Sequence, residues 1–444
     1  MDQAETTPTD FPPPLTGPTL SPGQPGRAFG RPLPTGSDRL VRPEHQRWLD
    51  DQAVGLLDFA AAARAEDGGF WWLDGDGRPD HGHDRELWIA CRMTHVFALG
   101  HLLGHPLGQA AAAHGLDAIR RLFADPPHGG WFAAVDSAGR PTATTKQAYP
   151  LAFVILASAS ARQAGCAGAD DLLEQALQIS QTHFWDDRAG LVVEEWDAAF
   201  SRLDPYRGAN ANMHTVEAYL AAADATDQPI WRQRALRVAE YLVNGQARAA
   251  DWRLPEHYDD AWRALLDYNA DRKADPFRPW GSTVGHGLEW SRLLLQLGAS
   301  LGPVAPDWLE PAALALFDRA VADGWSADGQ PGFVYTVDWS GRPVVRQRMH
   351  WVVAEAISAA ATAHQVTGRA SYAESYQVWW DYAQRHLIDS QRGSWQHELD
   401  PRNQPADTVW PGKPDVYHAF QACLIPQLPV GPCLAQVLAR GRDD

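Results

Sequence analysis

The chain has 444 residues, with 38 Lys and Arg against 55 Asp and Glu, for a formal charge of −17. That balance excludes a nucleic-acid binder, since a polyanion needs a basic face and no Lys/Arg cluster of useful length occurs. With 45% hydrophobic and 21% charged residues the chain can bury a large core, while its longest apolar runs, such as 151–157, fall far short of the roughly 20 residues that span a bilayer.

In chain order, residues 1–37 carry nine prolines together with Thr and Gly. No basic segment followed by an apolar core is present there, so the stretch reads as a flexible leader without a secretory signal, and the compartment as cytoplasmic. A first helix is expected over 43–65. Then a turn-and-strand motif begins to recur. Gly68-Gly-Phe-Trp-Trp-Leu-Asp-Gly-Asp-Gly-Arg-Pro79 is followed by Gly129-Gly-Trp-Phe-Ala-Ala-Val-Asp-Ser-Ala-Gly-Arg-Pro141, and looser copies stand at 190–196, 251–257, 332–343 and 393–401. The starts at 69, 129, 190, 251, 332 and 393 are separated by 60, 61, 61, 81 and 61 residues. Such a period marks a repeat architecture of six units.

Between copies lie two helix-like segments split by Gly or Pro, for example 85–103 and 107–123, or 212–225 and 229–246. One of each pair is apolar nearly all round, as in Leu87-Trp-Ile-Ala-Cys91, which suits an inner, buried helix; the other is amphipathic. Five pairs, plus 43–65 against a C-terminal helix near Asp415, make twelve helices. The expected fold is therefore all-α, a closed (α/α)6 barrel in one domain over 38–444, with the strand-like copies as short β-hairpins on one rim. An open stacked array is the weaker alternative. The four cysteines Cys91, Cys166, Cys423 and Cys433 form no C-x-x-C pair and are expected to be reduced core thiols.

Counting from each motif start to the beginning of each inner helix selects Arg92, Tyr149, His214, His286, Trp351 and His418. One register thus delivers these six to one pocket on the barrel axis. Two of the histidines stand in His-x-x-Glu units, His214 with Glu217 and His286 with Glu289, where the side chains share a helix face. A carboxylate-tuned imidazole suits proton transfer near neutral pH. A metal site is not expected: the Glu-x-x-His order of di-iron bundles is reversed and a second carboxylate-rich set is lacking. His95 is a candidate for a supporting position, whereas His81, His83, His101, His105, His114, His128 and His364 read as solvated or capping. No dinucleotide or Walker A motif and no nucleophilic Ser elbow occurs, so no cofactor is expected.

The segments Leu87-Trp-Ile-Ala-Cys-Arg-Met93, Gly208-Ala-Asn-Ala-Asn-Met-His-Thr-Val-Glu217, Gly285-His-Gly-Leu-Glu-Trp290, Phe333-Val-Tyr-Thr-Val-Asp-Trp339 and Asp415-Val-Tyr-His418 together resemble the N-acylglucosamine 2-epimerase superfamily of barrel-shaped sugar epimerases and isomerases, over essentially 43–435. The resemblance implies an aldose–ketose isomerase acting on a monosaccharide without metal, with His286 and His418 as the acid/base pair working through a cis-enediol. It also implies that Arg92 stabilises the enediolate oxygen, that Glu289 orients His286, and that His214 and Asn210 hold substrate hydroxyls. Tyr149, Trp351 and His397 complete the expected substrate-binding set. Where members acting on sulfoquinovose carry an Arg and two Gln, this chain has Pro276, His397 and Pro414, which favours an uncharged hexose. The implied reaction is reversible conversion of D-mannose to D-fructose, with lyxose to xylulose as a side activity. The rivals are a 2-epimerase interconverting mannose and glucose, an inverting glycosidase using Glu289 with Glu355 or Glu398, and a non-catalytic sugar-binding protein. No nucleic-acid or membrane partner is expected, and the oligomeric state is left open between monomer and homodimer.

Overall fold

The computed structural model describes residues 29, 33, 39–431 and 433–443. Six inner helices, α2 (Leu87–Leu102), α4 (Ala148–Gln163), α6 (Ala209–Thr226), α8 (Val284–Leu301), α10 (His350–Thr367) and α12 (Tyr417–Leu424), pack side by side in that order, and α12 returns to α2 to close the ring. Six outer helices, α1 (Pro43–Ala60), α3 (Gly108–Arg121), α5 (Ala169–Ile179), α7 (Pro229–Ala239), α9 (Leu309–Gly324) and α11 (Ala370–Tyr382), surround it, with α1 lying against α12. The (α/α)6 barrel is thus present, with twelve alternating helices among the described residues. A thirteenth, α13 (Leu434–Asp443), lies across α2, α4 and α6 and lacks a counterpart in the repeat.

The two rings differ because their sequences do. In α2 all residues but His101 are buried, so the apolar residues have no preferred face. In α5 the buried positions are Ala169, Leu172, Leu173, Ala176 and Leu177, the spacing of a single apolar stripe. Gly104 ends the first inner helix by adopting φ +85°, and the N–H groups of Gly104 and His105 satisfy the His101 and Gly100 carbonyls. Of the leader, only Phe29 and Leu33 are described and the rest lies outside the described residues. Those two depart from the flexible reading: both are buried, as apolar residues that find the core, with Phe29 over Gly393.

The rim is more than a set of hairpins. Short strands such as Trp72–Leu73 with Pro79–Asp80 do form within a unit. Others join neighbouring units, because the two residues ahead of an inner helix pair with the next unit's turn: Arg85–Glu86 with Ala134–Val135, Lys146–Gln147 with Glu195–Trp196, and Arg348–Met349 with Glu398–Leu399. A base stands two residues ahead of α2, α4, α6 and α10, as Arg85, Lys146, Arg207 and Arg348, and Lys413 stands four ahead of α12. Four of these clasp a rim aspartate: Arg85 with Asp67, Lys146 with Asp125, Arg348 with Asp328 and Lys413 with Asp389, at 2.6 to 2.7 Å. The place ahead of α8 is held by Ser282. There the 81-residue spacing inserts a loop over 259–281, which crosses the rim without helix or strand. It is pinned by the Trp280 and Trp339 indoles, which both donate to the Leu266 carbonyl at 3.0 Å.

Candidate active site

A cavity of about 680 Å³ opens at the N-terminal ends of the inner helices. All nine residues expected to converge there line it: Arg92 from α2, Tyr149 from α4, Asn210 and His214 from α6, His286 and Glu289 from α8, Trp351 from α10, His418 from α12, and His397 from the segment before α12. Trp88, His350, Tyr335, Trp410, Pro414 and Asp415 complete the wall, and Pro276, Phe277 and Pro279 of the inserted loop roof it. Phe277 meets Trp88, Tyr149 and Trp410 with ring centroids 5.0 to 6.0 Å apart, so aromatic edges narrow the mouth.

Each of the two facing histidines has a carboxylate behind it. His286 donates from Nδ1 to Glu256 Oε1 and Oε2 at 2.9 and 3.0 Å, and His418 donates from Nδ1 to Glu355 Oε1 at 2.9 Å. A carboxylate on Nδ1 keeps the proton there and leaves Nε2 for the cavity. The partner of His286 is therefore Glu256 and not Glu289. Glu289 shares a helix face with His286, but its Oε1 faces His214 Nδ1 at 3.8 Å and Arg292 at 3.7 Å. The Trp351 ring stands between the two imidazoles, with centroids 5.3 Å from His286 and 5.7 Å from His418. Burial first, and then the nearby Arg92 guanidinium, hold the His418 imidazole well below its ordinary value, so it is neutral at pH 7.

Arg92 is seated in an aromatic cage, 4.5 to 4.9 Å from the Trp88, Phe153 and Tyr417 ring centres. It donates to Asp415 Oδ2 at 3.2 Å and to the Tyr149 hydroxyl at 3.0 Å. Burial works against its charge, but Tyr149, Asp415 and Tyr417 outweigh it and hold the pKa above the ordinary value. The same burial pushes the Tyr149 phenol up to about 12. The cavity thus offers a fixed cation, a phenol that keeps its proton, and two imidazoles with free Nε2 atoms.

His397 stacks on His350 at 3.7 Å and donates from Nε2 to the Asp415 carbonyl at 3.1 Å. Burial lowers both imidazoles, that of His350 to about 4. His95 does not reach the cavity; its Nδ1 is bonded to the Ser160 hydroxyl one layer deeper. His105 is not solvated but buried beside Asp58, 3.2 Å away.

Below the cavity floor Arg292 gathers three carboxylates from three helices: Glu355 at 2.9 Å, Glu289 at 3.7 Å and Glu217 at 4.0 Å. Burial and the neighbouring Glu355 push the Glu289 carboxyl well above its usual range. Burial favours the protonated Glu217 too, yet the facing His214 and Arg292 overcome it and hold that carboxyl low. Among the described residues His214, Glu217 and Glu289 are the one group of possible metal ligands with donor atoms within 4.8 Å of one another. The Arg292 guanidinium already supplies positive charge there.

Counting along helices overlooked Glu256, Glu355, Arg292 and Asp415. Two of these carried a usable signal: Glu355 follows Trp351 by one helical turn, and Asp415 opens a motif already singled out. Glu256 lies on the rim copy at 251–257, outside any helix, where helical counting does not reach.

The model of the N-acylglucosamine 2-epimerase (GlcNAc 2-epimerase) family matches residues 68–422. The chain is 52% identical over 400 residues to a D-mannose isomerase of Thermobifida fusca, covering 90% of this chain and 98% of that one. It is 44% identical over 409 residues to a D-mannose isomerase of Pseudomonas cannabina pv. alisalensis, covering 91% and 98%. A crystal structure of a D-mannose isomerase superposes with a TM-score of 0.81 at 30% identity, covering 87% of this chain and 99% of that one.

Proposed function

The chain belongs to the N-acylglucosamine 2-epimerase family, and from that premise we propose that its cavity isomerises D-mannose reversibly to D-fructose. The observation that carries this reading is the convergence of His286, His418 and Arg92 from three separate inner helices on one cavity, with a carboxylate behind each imidazole. Removing a proton next to a carbonyl needs a neutral base and a cation at the oxygen, and imidazole with guanidinium supplies both without a metal. After ring opening, one imidazole takes the C2 proton and returns it to C1, while the other moves the proton between the O1 and O2 oxygens. Arg92 holds the enediolate oxygen through both steps. Asn210 and His214 hold hydroxyls, and Tyr149, Trp351 and His397 shape the wall around the sugar.

The roof of Phe277 over Trp88 and Trp410 suits one sugar ring. The wall of uncharged rings and prolines suits a hexose without an ionic group, and Pro276 and Pro414 offer no donor to a sulfonate. A glycosidase is less well supported: of the cavity's two carboxyl groups, Asp415 is held by Arg92 and the Tyr417 N–H, and Glu289 lies on the floor 3.7 Å from the Arg292 guanidinium. We place the enzyme in the cytoplasm on the strength of four unpaired cysteines, three of them buried, and treat 38–444 as one catalytic domain because α12 closes both on α2 and on α1.

Incubation with D-mannose, with products resolved at early times, tests the reading. Fructose as the first product is expected, with deuterium at fructose C1 when the reaction runs in D2O. Glucose appearing first would replace it by 2-epimerisation, and activity lost on chelation would end the metal-independent mechanism.

A further inference from the structure

Beneath the sugar cavity, three buried polar atoms without a protein hydrogen-bond partner face one another: His214 Nδ1, Glu289 Oε1 and Arg292 Nη2. The residues that carry them are 4%, 1% and 1% exposed. Glu289 Oε1 lies 3.8 Å from His214 Nδ1 and 3.7 Å from Arg292 Nη2. These gaps are too long for direct hydrogen bonds, and one molecule seated beside them can reach the atoms at both ends of each gap. Glu217 Oε2, 3.7 Å from the same imidazole nitrogen, closes the fourth side and already accepts from the Tyr417 hydroxyl.

We propose that one ordered water molecule is bound at this point, bridging His214 to Glu289 and Arg292, and that it sets the orientation with which His214 meets the sugar. The site asks for an occupant that both donates and accepts. Arg292 can only donate, and the imidazole Nδ1 and the carboxyl Oε1 take whichever role remains, so a water satisfies all three. A metal ion fits less well, since it would sit beside the guanidinium and compete with Tyr417 for Glu217. A second cavity of about 420 Å³ lies behind the same layer, lined by Glu217 and Arg292 and by His95 and Gln421, whose buried Nε2 atoms also lack protein partners. With Nδ1 committed to the water, the other ring nitrogen of His214 is presented to the cavity in one fixed direction.

The second half of the proposal rests on the reading of His214 as a sugar contact; the first half does not. A crystal structure of the intact protein, together with elemental analysis of the same preparation, is the direct test. Expected is a density peak about 2.6–3.2 Å from all three atoms, with no anomalous signal and no stoichiometric metal. A metal in that position, or no density there, overturns the water. For the positioning role, Glu289→Ala is expected to raise KM for mannose by about tenfold with kcat changed by less than about threefold, and Glu289→Gln, which keeps a polar partner, to restore KM. An unchanged KM in Glu289→Ala overturns that role. Should the protein turn over no sugar at all, the density still decides the water, so failure of the proposed function and failure of this site are distinguishable.

Discussion

Gly285, in the first turn of α8, is the residue whose substitution best tests the geometry of the two imidazoles. A Cβ at that position would lie 2.3 and 2.5 Å from Trp351 Cζ3 and Cη2 and 2.7 Å from Val352 Cγ2. Carbon atoms rest at about 3.5–4.0 Å, so Gly285→Ala pushes the indole away by about 1 Å. That indole packs against both His286 and His418, so its displacement is expected to shift at least one of them. Overpacking of this kind costs about 1–3 kcal/mol of stability, and a displacement of about 1 Å at reacting groups costs about 10²-fold in rate. Gly298 provides the control on the same helix. Its Cβ would meet only Leu309 Cδ1, at 3.9 Å, and Gly to Ala inside a helix gains about 0.5–1 kcal/mol. Initial rates of fructose formation and urea unfolding should therefore separate the pair: Gly285→Ala slow and weakened, Gly298→Ala fully active and slightly stabilised. A folded Gly285→Ala protein with undiminished kcat would refute Trp351 as the element that spaces the two histidines.

His418→Ala should lower kcat by about 10²–10⁴-fold, the range for loss of a general acid or base, with an unchanged circular dichroism spectrum; full activity would remove His418 from the mechanism. Glu256→Ala, measured by kcat and by the low-field Nδ1 proton resonance of His286, should lose the resonance and about 10²-fold in rate, while Glu289→Gln should leave the resonance in place. Arg292→Met leaves Glu355 and Glu217 buried without their cation, so unfolding in urea should show a loss of about 3–5 kcal/mol; a loss under about 1 kcal/mol would mean the carboxylates are protonated and indifferent to it. Burial lowers His45, His95, His214 and His350 to about 4, so they are neutral when folded and bind protons on unfolding near pH 6.5. Stability from these four is present above that pH and is lost as pH falls from 6.5 toward 4, each accounting for up to about 3 kcal/mol. Urea midpoints constant between pH 7 and 4.5 would contradict their neutral, buried state.

The barrel was legible in sequence because two periodicities coincide in it: a repeat of 60 or 61 residues, and within each repeat an all-apolar segment followed by an amphipathic one. The cavity residues were legible for the same reason, since equal offsets along equivalent helices lead to one end of one axis. Where a contact depends on a side chain reaching across units, offset counting is blind. Glu256 bonds His286 from the preceding rim segment, and Glu355 bonds His418 from the neighbouring helix; neither direction is encoded in i, i+3 spacing. The same limit explains the misassigned Glu289. It is one turn below His286 as the spacing requires, but the imidazole Nδ1 is already taken by Glu256, and Glu289 Oε1 faces His214 and Arg292. The buried Phe29 was missed on another ground, because composition describes a segment and not the single apolar residue within it.

The six units are mechanically similar and chemically unequal, and the inequality is concentrated where the repeat breaks. The fourth interval is 81 residues instead of 60 or 61, and it is also the one whose inner helix is preceded by Ser282 and not by a base. Without that clasp the rim is held by other means. Gly281 adopts φ +95° with the Val337 carbonyl 2.3 Å from where a Cβ would stand, so any side chain there would drive the strand ahead of α8 off its neighbour. The extra residues supply Pro276, Phe277 and Pro279 to the roof, and the turn that leads into them supplies Glu256 to His286. One departure from the sixfold pattern thus delivers both the roof of the cavity and the carboxylate that sets the proton on His286. Changes in the length of 259–281 should accordingly alter kcat as well as KM, because Glu256 and the roof are carried on the same stretch of backbone.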